Sequence, residues 1–237
     1  VALLAEAILA NFGTEAGAEP MRRLALLARS EIESRRAQPR DDYMTTLTNA
    51  EIEGRRITDG ELEMVVQAFL FAGYETTVHA VGSMMAFLAE NPAVQEQMRR
   101  DPSAIGAVIE ESLRLFPPAH TMFRTVTEKT MLADTVMEED DKVVLLFSAA
   151  NRDPSKFEAP EEFRLDRRNP RQHLSFGFGA HFCVGSHLAR AEMRIILEVM
   201  SRYPCVELAG PPVRTPHLLM GQMMGVEHLP LRFRADV

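Results

Sequence analysis

Hydrophobic and polar positions keep a helical rhythm to about residue 116 and then change. Residues 2–11 and 20–37 predict two helices, the second with Met21, Leu24, Leu27 and Ala28 on one face. Arg35 and Arg36 suit its C-terminal end, and Pro39 stops it. Residues 42–53 predict a shorter helix, followed by a turn at Glu53-Gly54-Arg55-Arg56. A long helix is expected from about residue 59, where Thr58 and Glu61 stand at capping-box spacing. From Leu62 to Leu88 it is almost entirely small or apolar, which predicts burial on most sides. Tyr74, Glu75, Thr76, Thr77 and His79 interrupt that run directly after Ala72-Gly73, so these polar residues need a reason.

Asn91-Pro92 and Asp101-Pro102 each place proline at a helix start, predicting helices to about Arg99 and Phe116, the latter ended by Pro117-Pro118. Residues 125–149 read as strands, with Val143-Val144-Leu145-Leu146-Phe147 the candidate for a buried one. The stretch from 151 to 182 is rich in proline, glycine and charge and is too long for an ordinary connection, which marks it as functional. A helix follows from 184 to about 202, and short apolar runs between Pro/Gly turns then predict a small, partly antiparallel sheet. The class is mainly α with small β-sheets.

Composition changes this picture little. With 26 basic and 34 acidic residues the net charge is -8, which argues against a nucleic-acid partner while leaving room for a local basic patch. Cys183 and Cys205 form no disulfide framework, so a reducing, cytoplasmic setting is expected, with Cys205 a buried structural thiol. Charges interrupt every long apolar stretch, so no membrane span is predicted, and no secretory leader is visible.

Candidate chemistry gathers in Phe176-Gly177-Phe178-Gly179-Ala180-His181-Phe182-Cys183-Val184-Gly185, a glycine-rich turn just before a helix. Unpaired N–H groups at a helix N-terminus favour a thiolate, and thiolate is one of few protein ligands for heme iron. On the residues alone Cys183 stays open between a core cysteine, a nucleophile and a metal ligand; a nucleophile needs a base and an oxyanion site. Upstream, Glu111 and Arg114 stand three apart on one helix face, a spacing that by itself describes a solvated pair worth a few tenths of a kcal/mol.

Phe176, Gly179, Cys183 and Gly185 match FxxGxxxCxG, and Glu111 and Arg114 match ExxR ahead of it; in both, and in their order, the chain resembles the cytochrome P450 family. The resemblance covers nearly the whole chain and implies a P450 fold with its N-terminal part absent, residues 1–237 being the C-terminal, heme-ligating part of one domain. Within it, 1–56 resembles helices F to H, 59–90 the long distal helix, 102–116 the ExxR helix, 151–185 the meander and cysteine loop, 184–202 the proximal helix and 203–237 the terminal strands.

The resemblance further implies heme b (iron protoporphyrin IX) as cofactor, with Cys183 as axial iron ligand, Phe176 packed beside it, and Gly185 and Ala72 close to the cofactor. Arg124, His173 and His181 take the positions of propionate contacts. Glu111 and Arg114 become an inward-facing structural pair, with Arg167 or Arg164 as third member. Glu75 and Thr76 become the acid–alcohol pair that delivers protons for oxygen activation, Tyr74 stands where many relatives have histidine, and His79 is structural. Ala68, Phe69, Ala72, Ala119 to Met122, and Met223-Met224 are substrate-pocket candidates, apolar and adaptable. The implied reaction inserts one atom of dioxygen into a small hydrophobic organic substrate, with electrons from a ferredoxin or flavoprotein reductase docking on a basic patch of Arg167, Arg168, Arg171, Arg190 and Arg194. The alternatives are a peroxide-using heme-thiolate oxidase and a non-catalytic heme sensor or carrier.

Overall fold

The computed structural model of the chain describes residues 2–11, 13–218 and 222–234. Its contacts divide the chain into two compact units, Val1–Glu75 and Thr76–Val237, with the division falling inside one continuous helix, α4 (Asp59–Glu90).

The first unit contains α1 (Ala2–Ala10), α2 (Ala18–Ala37), α3 (Tyr43–Thr48), a hairpin of β1 (Glu51–Ile52) and β2 (Arg55–Arg56), and the start of α4. The helix expected over 42–53 is confined to α3. Beyond it Glu53 and Gly54 take φ of 52° and 78°, the left-handed pair of a tight hairpin turn, which a helix cannot absorb. The capping box forms in both directions: Thr58 N donates to Glu61 Oε2 at 2.8 Å and Glu61 N to Thr58 Oγ1 at 3.3 Å. Asp42 caps α3 through Thr45 N at 2.8 Å and accepts Arg35 Nε at 2.6 Å, tying the end of α2 to the start of α3. The core of this unit is Ala28, Ile32, Ile57, Leu62 and Val66.

The second unit is built on the remainder of α4, α5 (Pro92–Arg100), α6 (Ile105–Leu115) and α8 (Ser186–Met200), with the four-residue α7 (Phe147–Ala150) between α6 and α8. Its core draws Ala80, Met84, Met85 and Leu88 from α4, Met98 from α5, Ile105, Val108, Ile109 and Leu113 from α6, and Met193, Leu197 and Met200 from α8. Five of these are methionines, whose unbranched side chains fill irregular gaps between helices. Gln95, buried on α5, locks the helices to the sheet: its amide donates to Leu88 O at 2.6 Å and Val206 O at 2.8 Å and accepts from Val206 N at 3.0 Å.

The strands make two-stranded antiparallel ribbons. β3 (Thr121–Thr125) pairs with β6 (Lys142–Leu146), β4 (Thr130–Leu132) with β5 (Thr135–Met137), β7 (Cys205–Leu208) with β10 (Leu231–Arg234), and β8 (Val213–Leu218) with β9 (Met223–His228). Of the terminal segment 203–237, residues 219–221 and 235–237 lie outside the described residues.

Two sequence expectations are corrected. β6 is not a buried strand: its residues alternate in exposure as one edge of a ribbon, and Phe147 opens α7. Cys205 is half-buried in β7, not fully enclosed. Along the apolar stretch of α4 most residues are buried or half-buried, while Met64, Ala68, Ala72, Gly73 and Val78 are exposed. Met64, Ala68 and Ala72 lie four residues apart, one open row along the helix.

Candidate active site

Among the described residues no three His, Cys, Asp or Glu side chains gather to hold a metal ion. The loop around Cys183 is closed by its own backbone. Cys183 N donates to Phe176 O at 2.8 Å and closes it, Gly177 N donates to Leu174 O at 2.9 Å, and Phe182 N donates to Gly179 O at 3.0 Å. Gly177 and Gly179 take φ of 72° and 68°, a conformation that side chains other than glycine rarely adopt. Ser186 N donates to Cys183 O at 3.2 Å, so the cysteine enters directly into the first turn of α8.

The thiol is exposed, and so are the large apolar side chains around it: Phe178 at 84%, Val184 at 69% and Phe182 at 50%. Such a face suits a broad apolar ligand lying against the loop. Gly185 is consistent with this. Its φ of -79° does not require glycine, and an added Cβ would meet only Cys183 Sγ at 3.9 Å within the chain. The small residue leaves room for something outside the polypeptide. Arg124 and His181 are exposed, and Arg124 spends one N–H on Phe123 O at 2.8 Å, leaving the rest of its fork available to a carboxylate. The residues present therefore fit a heme.

His173 does not share that exposure. It is buried, with Nε2 3.0 Å from Glu110 Oε2, and Nδ1 accepts from Ser175 N at 3.3 Å. Both ring nitrogens are occupied by protein groups. Glu110 also accepts a forked pair from Arg190, Nε at 2.7 Å and Nη2 at 2.9 Å. Burial alone would raise the Glu110 carboxyl, but the His173 and Arg190 hydrogen bonds outweigh it and hold the group down to about 2.

The neighbouring pair is more completely enclosed. Arg114 is 0% exposed and Glu111 1%. Arg114 donates twice to Glu111, at 2.9 and 2.7 Å, and once each to the carbonyls of Asn151 at 2.9 Å, Pro160 at 2.6 Å and Glu162 at 2.9 Å. The third member is Arg167, whose Nε donates to Glu111 Oε1 at 2.7 Å; Arg164 contributes its backbone N–H, at 3.0 Å, while its guanidinium pairs with Asp166. Desolvation pushes the Glu111 carboxyl up, yet these partners leave it lowered. Two expected members of a basic docking patch, Arg167 and Arg190, are thus engaged internally, while Arg168 and Arg171 remain exposed.

Asn151 was not singled out by the sequence. Fully buried, it donates to Arg114 O at 3.1 Å and Ser175 Oγ at 2.9 Å and accepts from Leu174 N at 2.6 Å, joining the ExxR helix to the entry of the cysteine loop. Ser175 Oγ in turn donates to Leu113 O at 2.7 Å. Nothing in the local pattern around Asn151 signals this, because all three partners are distant in sequence.

In the second unit the pocket candidates after α6 and in β9 come together: Ala119 bridges Met223, and Met224 N donates to Pro118 O at 3.0 Å. Met223 is buried, whereas Met122 and Met224 are exposed. Thr76 is half-buried and His79 is buried, its imidazole pKa lowered by burial against the opposing effect of the Val226 backbone carbonyl as hydrogen-bond acceptor. In the first unit Phe69 meets Tyr43 edge-on at 5.6 Å, and Ala68 and Ala72 are exposed. Glu75 is buried there, its carboxyl raised by desolvation and then by the charge of Glu6. A surface recess of about 490 Å³ lined by Val94, Gln97, Ala107, Phe163 and Leu165 shares no residue with these candidates.

Comparison with known proteins gives the family. The family model described as Cytochrome P450 matches residues 18–203. Cytochrome P450 109 of Bacillus spizizenii is 37% identical over 205 residues, 86% of this chain and 50% of the relative. Cytochrome P450 144 of Mycobacterium tuberculosis is 42% identical over 192 residues, covering 81% and 44%. The crystal structure of CYP109E1 from Bacillus megaterium in complex with testosterone is similar at a TM-score of 0.88 and 30% identity, covering 99% of this chain and 64% of that one. The chain spans about half the length of the curated relatives it matches. On the extent of these matches, with the loop and the ion-pair helix they contain, the chain belongs to the cytochrome P450 family.

Proposed function

We propose that the chain is the heme-ligating part of a monooxygenase, with Cys183 as the axial thiolate of heme b. The observation that carries the reading is the exposed thiol in a backbone-closed loop, ringed by exposed Phe178, Phe182 and Val184. Arg124 and His181 would neutralise the propionates, Phe176 would pack beside the sulfur, and Gly185 would leave space for the ring. Bound there, heme supplies the redox chemistry that splits dioxygen and places one atom in the substrate.

The polypeptide's part is to hold the ligand, supply protons and exclude water. Glu75 fits a proton donor, because burial and Glu6 keep its carboxyl protonated to higher pH than usual. Thr76, next along α4, would hold the hydrogen bond through which the proton passes. Removing its hydroxyl in Thr76→Ala is expected to cut product formation about a hundredfold while heme binding persists. Within the second unit Ala119, Met122, Met223 and Met224 would line an apolar site for a small organic substrate, and a ferredoxin or flavoprotein would deliver electrons to the face carrying Arg168, Arg171 and Arg194. Among solved relatives CYP109E1 binds testosterone, and a curated relative from Mycobacterium tuberculosis is a steroid C26-monooxygenase, which makes steroids a rational first panel.

The test is oxidation under isotopically labelled dioxygen with a ferredoxin–reductase pair. One labelled oxygen in the product supports the reading. Product formed equally well from hydrogen peroxide without electron donor, or no label incorporated, overturns it.

A further inference from the structure

Glu110 and Glu111 are adjacent on α6, both buried, and turn to different partners. Glu111 holds the meander through Arg114, Arg167 and the Arg164 amide. Glu110 instead reaches both ends of the cysteine loop. At its entry stands His173, 3.0 Å from Oε2, and beyond its exit stands Arg190 on α8, bonded through both arms of the guanidinium fork. The same guanidinium lies 4.4 Å over the ring of Phe176, whose carbonyl accepts from Cys183 N at 2.8 Å. Carboxylate, guanidinium, aromatic ring and cysteine backbone thus form one continuous series of contacts.

These groups are not a solvated surface pair. The side chains of His173, Glu110 and Arg190 are 1%, 6% and 18% exposed. Arg171, 76% exposed and 3.4 Å from Glu110, is the peripheral member. The geometry also needs arginine specifically: a planar fork can bond a carboxylate in two places and stack on a ring at once, and an ammonium cannot.

We propose that Glu110, acting through Arg190 and His173, is the positioning residue for Cys183: it draws both ends of the loop onto α6 and fixes Phe176 beside the thiolate. Glu110 touches neither cofactor nor substrate. The inference rests on the proposed ligation of heme by Cys183 and adds a second acidic anchor with a task different from that of the ExxR glutamate.

The test uses Arg190→Lys, which keeps the charge and loses the fork and the stacked plane, with Glu110→Gln as second variant and the exposed Arg202→Gln, outside the cluster, as control. Amide hydrogen exchange is followed in the chain without heme, and the Soret spectrum of the reduced carbon monoxide complex in the heme-loaded protein. Loss of the charge-assisted bonds is expected to speed exchange over residues 174–186 by about 10- to 100-fold in Arg190→Lys, with residues 157–167 unchanged and Arg202→Gln behaving as the unsubstituted protein. The long-wavelength thiolate band should lose intensity in the same variant. Loop exchange unchanged in folded Arg190→Lys, or loosening of 157–167 to the same degree, overturns the proposal. Should Glu110→Gln fail to fold, Arg190→Lys decides alone. A failure of the heme reading is seen separately, as absence of the thiolate band in the unsubstituted protein, and leaves the exchange result intact.

Discussion

Arg114 has five N–H donors and each is matched to an oxygen, while Glu111 accepts from two arginines and a backbone amide. Removing one partner strands the other charge where water cannot reach it. Glu111→Gln and Arg114→Leu should therefore each destabilise the fold by about 3–5 kcal/mol in denaturant titration. Ser112, between them, has a buried hydroxyl without a hydrogen-bond partner, so Ser112→Ala should leave stability unchanged or raise it by up to about 1 kcal/mol. Glu110 gives a pH dependence with a definite sign. Its folded carboxyl is depressed from 4.5 to about 2, so its contribution, on the order of 3 kcal/mol, is complete above pH 4.5 and is lost as pH falls toward 2. Glu110→Gln should flatten the acid limb of a stability–pH curve in that interval. The spacing of Glu111 and Arg114 was legible in the sequence, but their burial was not, since it depends on carbonyls about 40 residues away. For the same reason the choice of Arg167 over Arg164, and the capture of His173 by Glu110, could be read only from the folded chain.

Elements whose signals are local followed the sequence closely. The reciprocal Thr58–Glu61 cap, Pro92 at the first turn of α5 and Asp101 capping the turn at Ser103 N all involve partners within three residues. Where an element depends on a remote neighbour, the pattern misled. Val143 to Phe147 reads as a buried run, yet its ribbon partner β3 leaves alternate residues open. Residues 49–53 continue an apparently helical pattern but open a hairpin, because the turn expected from Glu53-Gly54 pairs β1 with β2. Gln95 shows how much one such remote contact carries. Gln95→Leu should preserve the helical content of α5 but leave both the N–H and C=O of Val206 without this partner. A loss of about 1–3 kcal/mol is expected, measured by thermal or denaturant unfolding, with faster amide exchange in β7.

At the scale of the molecule, family membership rests on a match extending from residue 18 to 203, and this chain covers about half of its curated relatives. No described helix is long and apolar enough to cross a membrane. The order of the motifs was fully legible: small residues with Glu75-Thr76 on the long helix, then ExxR, then the cysteine loop. What the folded chain adds is the support under that loop, with Asn151, Ser175, Glu110 and Arg190 tying it to α6. All of it bears on one sulfur atom. The most direct test reduces the heme-loaded protein, adds carbon monoxide and records the Soret band for the unsubstituted protein and for Cys183→His. Thiolate ligation by Cys183 predicts a band at markedly longer wavelength in the unsubstituted protein, shifted to the shorter wavelength of histidine ligation in the variant. A short-wavelength band in the folded, unsubstituted protein, or a long-wavelength band that survives the loss of Cys183, would contradict it.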